Sequence, residues 1–148
     1  MENENVMTDE EYEIECKKQE LRNEKFLKIF ENDLMIAGLS KATIGRHSRN
    51  VQFYINTYLL REKPLSMERG CDNIDMFLGY FIIRKCGWST PNSIRKSAAS
   101  IKKYYQCMLK HGFIEKEDYD YLCSEIKEHM EEWQEDCINW KRSVSKWE

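Results

Sequence analysis

The stretch AGLSKATIGRHSRN, residues 37–50, gathers the residues of this 148-residue chain best placed to do chemistry. Gly38 closes one predicted helix and Ser40 caps the next, which carries Arg46 and Arg49 three residues apart beside His47 and Asn50. A capped helix N-terminus offers backbone N–H groups and a hydroxyl to an anion, and arginine adds a bidentate fork that suits phosphate or a base edge. A second start of this kind lies at STPNS, where Thr90 is an N-cap and Pro91 fits the first helical position. The helix that follows sets Asn92, Lys96, Ala99, Lys103, Gln106 and Lys110 on the stripe opposite its apolar face, with Arg95 and Lys102 at the flanks. Both segments point to polyanion binding.

Other chemistries find less support. The chain has no glycine-rich phosphate loop and no G-x-S-x-G. Tyr54, Tyr58, Tyr104 and Tyr105 read as core or flank residues of helices, and the glutamates of the last helix as a solvated face. The six cysteines, at 16, 71, 86, 107, 123 and 137, form no C-x-x-C pair. They read as reduced thiols acting as small apolar fillers. Cys107 and His111 stand i, i+4 on one predicted helix and could seed a metal site with Cys123 or His129. With no second tight ligand pair, neither metal nor cofactor is expected.

Charge is segregated along the chain. Residues 1–37 hold five basic and eleven acidic side chains, net −6. Residues 38–114 hold thirteen and four, net +9, and residues 115–148 return to five and eleven, net −6. A basic centre between acidic ends implies a surface that faces a polyanion. The competing reading is that the segments neutralise one another inside one bundle. Position on the helices decides between them.

Five helices position these residues. Thr8 with Glu11 forms a capping box, and a helix runs from Asp9 to Gly38, with a polar gap at KKQELRNEK where it is expected to bend or break between Gln19 and Asn23. The second runs from Ser40 to about Leu60 with Ile44, Val51, Ile55 and Tyr58 as its apolar stripe, and with Arg46, Arg49, Thr57 and Phe53 on the far side. REKPLSMERGCDN reads as a polar loop. IDMFLGYFIIRKC, capped by Asp72 or Asn73, is apolar nearly all round and is expected to be the buried core helix. The fourth helix runs to about Lys110 and ends at His111-Gly112.

The fifth starts near Glu115. Its apolar positions Tyr119, Leu122, Ile126, Met130, Trp133, Cys137, Trp140, Val144 and Trp147 step by threes and fours. They dock on the protein's own domain or pair with a second copy. No strand-period run and no repeat occurs. The N-terminus lacks a signal-peptide pattern and no window reaches the ~18 apolar residues of a membrane span, so a cytoplasmic, non-membrane, all-α single domain is expected.

A helix ending in GLS, a capped helix KATIGRHSRNVQFYINTYL, a buried third helix and a basic fourth helix closing with HGFI form an ordered set. That set resembles the N-terminal core-binding, SAM-like domain of tyrosine recombinases and phage integrases. The resemblance covers residues 20–126, leaving an acidic extension at 1–19 and an amphipathic extension of the last helix at 127–148. It implies a domain that forms half of a clamp on double-stranded DNA through its second and fourth helices. The positions it marks are Ser40, Lys41, Thr43, Arg46 and Arg49, then Ser89, Thr90, Asn92, Arg95, Lys96, Lys103 and Lys110. Small residues at Ser93, Ser97, Ala99 and Ser100 would let the fourth helix approach a backbone closely.

A recombinase also needs a catalytic domain, which is not expected within these 148 residues, whether they are a complete small protein, a relic or a piece of a longer recombinase. None of His47, His111 and His129 is followed by arginine three residues on, so the family's H-x-x-R element is missing. The expectation is a non-catalytic DNA-binding module, acting alongside a full-length recombinase or against one. The alternative is a helical interaction or oligomerisation module that has lost DNA binding.

Overall fold

Thr8 opens the first helix as its sequence predicts. In the computed structural model, which describes residues 6–146, its hydroxyl accepts from Glu11 N–H while the Glu11 carboxylate accepts from Thr8 N–H. Helix α1 then runs unbroken over Asp9–Ile36. The expected bend at the polar gap is absent because the gap faces inward: Gln19 and Asn23 are buried. Gln19 binds Glu15 and Arg22, and the Asn23 amide donates to Asn56 Oδ1 at 2.7 Å. Polar side chains thus serve as core contacts where a bend or break was expected.

Gly38 ends α1 at φ +90°, with Leu39 N–H donating to Leu34 C=O and Gly38 N–H to Met35 C=O. Gly112 repeats the arrangement at φ +80°, with Phe113 N–H on Met108 C=O and Gly112 N–H on Leu109 C=O. Both are Schellman ends, which require a left-handed residue that glycine adopts without strain.

Helix α2 spans Lys41–Gln52 and continues as a π segment over Phe53–Tyr58. Helix α3 is built of Ile74–Met76, a second π segment Phe77–Phe81, and Ile82–Lys85. The two widened segments meet: the Phe77 ring lies 4.6 Å from Tyr54 and 4.9 Å from Tyr58, and Phe81 lies 5.0 Å from Tyr58. A wider turn spends one more residue per revolution, and here it turns aromatic side chains toward the crossing. Phe53 is therefore half-buried against Phe77, Phe81 and Trp88 rather than projecting from the far side.

Two other expectations need correction. The polar loop contains a 3₁₀ turn, Met67–Asp72, whose Met67, Gly70 and Cys71 are buried. The Tyr54 and Tyr105 hydroxyls donate to the Gly70 and Met67 carbonyls, and Arg22 grips Glu68 at 2.8 and 3.3 Å, so the turn is tied to three helices. Helix α3 is not buried all round, because Met76 and Tyr80 face solvent. Asn73 precedes it but makes no capping bond, its amide turning back to Arg69 C=O.

Helix α4 spans Pro91–Lys110 and α5 spans Lys116–Ser145. Leu122, Trp133 and Cys137 of α5 are buried, and Tyr119, Ile126, Met130 and Trp140 pack against the same core. The Trp133 indole donates to Asp75 Oδ1 at 2.7 Å and lies where a Cβ on Gly79 would come within 2.6 Å of it. The apolar seam of α5 is thus spent on its own domain. Helix α5 crosses position 126 without interruption, as α1 crosses position 19. Trp147, the last member of the seam, and Met1 to Asn5 of the acidic extension lie outside the described residues. No helix among the described residues is long and apolar enough to cross a membrane.

Candidate nucleic-acid interface

One small polar residue of α4, Ser100, ties it to two side chains of α2. The Asn50 amide donates to Ser100 Oγ at 3.0 Å, and Ser100 Oγ lies 2.8 Å from Nδ1 of the buried His47. Since the serine oxygen already accepts from Asn50, its proton is free for Nδ1, which suits a neutral ring. Burial lowers the His47 pKa, and the Arg46 and Lys103 charges lower it further. Arg46 of α2 and Lys103 of α4 thus flank one seam from opposite sides. Ser97 and Ser100 are consequently buried between helices and do not line an outer surface. Ser93 is occupied in a capping box with Thr90.

The starts of both helices are well ordered. Ser40 Oγ accepts from Thr43 N–H at 3.2 Å and donates to Thr43 Oγ1 at 3.0 Å. Thr90 Oγ1 accepts from Ser93 N–H at 3.0 Å, and Ser93 Oγ accepts from Thr90 N–H at 2.8 Å. Neither first turn carries an acidic residue, whereas those of α1 and α5 carry Asp9, Glu10, Glu11 and Glu117, Asp118. The positive ends of the α2 and α4 dipoles are therefore left without a local counter-charge.

Of the twelve marked positions, Ser40, Lys41, Arg46, Arg49, Thr90, Asn92, Arg95, Lys96, Lys103 and Lys110 are exposed and Thr43 is half-buried. Ser89 is the exception. It is fully buried, with its Oγ 4.0 Å from Cys137 Sγ under α5, and offers no hydroxyl to a surface ligand. Arg95 is held by Asn92 Oδ1 at 2.6 Å. Arg49 folds along Gly45, where a Cβ would come within 3.2 Å of its guanidinium.

Ion pairs among the described residues leave most of these cations without an acidic partner, a state they share with Lys25 and Lys28 of α1 and Lys127 of α5. Among the described residues, pairs within 4.0 Å engage Arg22, Arg61, Arg69, Lys110, Lys116, His111 and His129. None engages Lys41, Arg46, Arg49, Arg95, Lys96, Lys102 or Lys103. The acids of the flanking helices are turned to other tasks: Glu31 accepts from Ser48, Asp33 meets Lys110 and His111, and Glu125 and Glu132 surround His129. An exposed, unpaired, cationic face with two open helix starts can attract and orient phosphate groups.

Several buried hydroxyls and thiols are held protonated. Burial raises the pKa of Tyr54, Tyr104 and Tyr105 well above the ordinary range and pushes the Cys71 thiol up to about 12. The sequence alone did not reveal the Asn50–Ser100–His47 seam, which joins side chains 50 or more positions apart. It also missed Arg84, whose guanidinium sits between the rings of Tyr80 at 4.6 Å and Trp140 at 4.3 Å.

The fold defines an all-helical single-domain bundle with a long C-terminal helix, in which two of the helices carry basic residues and no acidic one. Comparison with known proteins adds no assignment: no family model, no curated protein and no solved structure matches the chain.

Proposed function

We propose that this protein is a non-catalytic module that binds double-stranded DNA across α2 and α4, in the manner of the core-binding domain of a phage integrase. The observation that carries this reading is that α2 and α4 carry eight basic residues and no acidic one, and that among the described residues no acid pairs with Lys41, Arg46, Arg49, Arg95, Lys96, Lys102 or Lys103. Self-neutralisation within the bundle would have placed glutamates of α1 or α5 against them. Paired helix starts and interspersed arginines suit a phosphate backbone, with Arg46 and Arg49 long enough to reach base edges. The ordered GLS turn, capped basic helix and HGFI ending support the integrase likeness, and a full-length recombinase is the partner it brings with it. The chain acts by occupying DNA and does no strand chemistry.

Fluorescence anisotropy on a duplex of ~30 base pairs tests this. Wild-type protein should bind at low salt, and Arg46→Glu with Arg49→Glu should remove binding while circular dichroism stays unchanged. Lys127→Glu on the acidic helix should have little effect. Supercoiled plasmid should keep its topology in the protein's presence. The interaction-module reading retains one observation of its own: Ile14 and Leu21 stand exposed on the outer face of α1 among Lys17, Lys18 and Lys25. Absence of duplex binding at low salt would shift the assignment to that face.

A further inference from the structure

The last turn of α1 and the last turn of α4 meet at Asp33. Its Oδ2 lies 3.1 Å from Cys107 Sγ and 3.0 Å from His111 Nε2, and the three donor atoms all fall within 4.8 Å of one another. We propose that Asp33, Cys107 and His111 form a binding site for a thiophilic divalent metal, with zinc as its best occupant.

The donor set is the argument. Sulfur, imidazole nitrogen and carboxylate oxygen together are the borderline-soft mixture that zinc takes, and three protein ligands leave a fourth position for water. With bonds of roughly 2.0–2.3 Å, a tetrahedral zinc holds its donors about 3.3–3.5 Å apart. The observed separations from Asp33 are a few tenths of an ångström shorter, and Cys107 Sγ and His111 Nε2 lie within 4.8 Å of each other, so small side-chain adjustments bring the three donors to this spacing. Cys107 and His111 are preset by their i, i+4 spacing on α4, and Asp33 is supplied by a different helix. Both helices finish here in Schellman turns, and the negative ends of two helix dipoles favour a cation. His111 is about one-third exposed, which gives a path in, while Cys107 is buried.

On binding, Cys107 Sγ loses its proton to solvent and bonds to the metal, and His111 coordinates as neutral imidazole. Carboxylate and thiolate then balance the dication, and nothing is oxidised or reduced. Two features oppose loading. Burial and the hydrogen bond to Asp33 push the free thiol up to about 12, and Lys110 Nζ stands 3.7 Å from the same carboxylate. Removing the lysine charge should therefore tighten the site.

Titration of the reduced, metal-free full chain with Co²⁺ is the test. The wild type should develop a thiolate-to-cobalt charge-transfer band in the near ultraviolet, with the visible bands of tetrahedral cobalt, and Zn²⁺ should displace both. Cys107→Ser should abolish the charge-transfer band, His111→Ala should weaken cobalt binding by about tenfold or more, and Lys110→Ala should strengthen it. Cys123→Ser should change nothing. No charge-transfer band in the wild type, or a band that survives Cys107→Ser, overturns the site and leaves the cluster as a hydrogen-bonded joint. If Cys107→Ser does not fold, His111→Ala decides alone, since unchanged cobalt affinity on loss of that exposed ligand overturns the proposal equally.

Discussion

Helices α2 and α4 differ from α1 and α5 on one face only. All four turn apolar residues into the same core. Outside the core, α2 and α4 carry eight basic residues and no acidic one, while α1 and α5 carry nine acidic residues each, against five and four basic. Some of the acids are put to local use. They cap the first turns of their own helices, grip Ser48, and hold the α1–α4 joint at Asp33. Among the described residues, the basic residues of α2 and α4 other than Lys110 make no ion pair, Arg95 bonding only to Asn92. What separates α2 and α4 from α1 and α5 is that no acidic residue on the same helix offsets these charges.

The comparison can be broken or sharpened by substitution. The largest effect should come from Trp133→Ala, which removes a buried indole and its bond to Asp75 and should cost about 3–5 kcal/mol in chemical denaturation. Trp140→Ala, two turns on, loses a partly buried contact with the core and with Arg84 and should cost less, about 1–2 kcal/mol. Equal costs would mean that α5 is not an integral wall of the bundle, and the contrast between helix pairs would lose its basis.

Smaller effects should come from the helix starts. Thr90→Ala and Ser40→Ala should each cost about 0.5–2 kcal/mol, with Thr90 the larger because it sits in a reciprocal capping box and Ser40 makes a single cap bond. Thermal unfolding of both variants would check the order.

The smallest effect should be a pH dependence at the α2–α4 seam. Burial, Arg46 and Lys103 hold the folded-state pKa of His47 below its ordinary value of about 6.5. The unfolded chain therefore takes up the proton first as pH falls. The contribution of His47 is full above about pH 6.5 and is lost as pH drops toward the folded-state pKa. The melting temperature of the wild type should fall relative to His47→Gln by a few degrees between neutral pH and the lower end of that window. A difference that does not change with pH would remove the neutral-histidine account of the seam.

Much of this architecture is legible in the sequence, because caps and glycine ends are local chemistry. Thr8 with Glu11, Ser40, Thr90 with Pro91, Gly38 and Gly112 mark the ends of three long helices without any tertiary information. The exposed stripes of α2 and α4 follow from helical period in the same way. What escapes is decided by partners far along the chain. Gln19 and Asn23 look like a break until Asn56 is seen opposite. Ser89 looks like a cap-region hydroxyl until α5 covers it. Cys107 and His111 show their spacing plainly, but the group completing the cluster is Asp33, and neither Cys123 nor His129 joins it. The π segments leave no signature beyond a run of aromatic residues.

The central claim is that the cations of α2 and α4 are held free for phosphates. The most direct measurement is the salt dependence of duplex affinity, as log K against log salt, for the wild type and for Arg46→Glu with Arg49→Glu. Each neutralised phosphate contributes about −0.9 to the slope. If seven cations form the face and most engage, the wild-type slope should lie between roughly −3 and −6. In a milder Arg46→Gln with Arg49→Gln variant that still binds, the slope should flatten by about 2. A wild-type protein that binds no duplex at low salt, or binds with a slope these substitutions leave unchanged, would contradict the account.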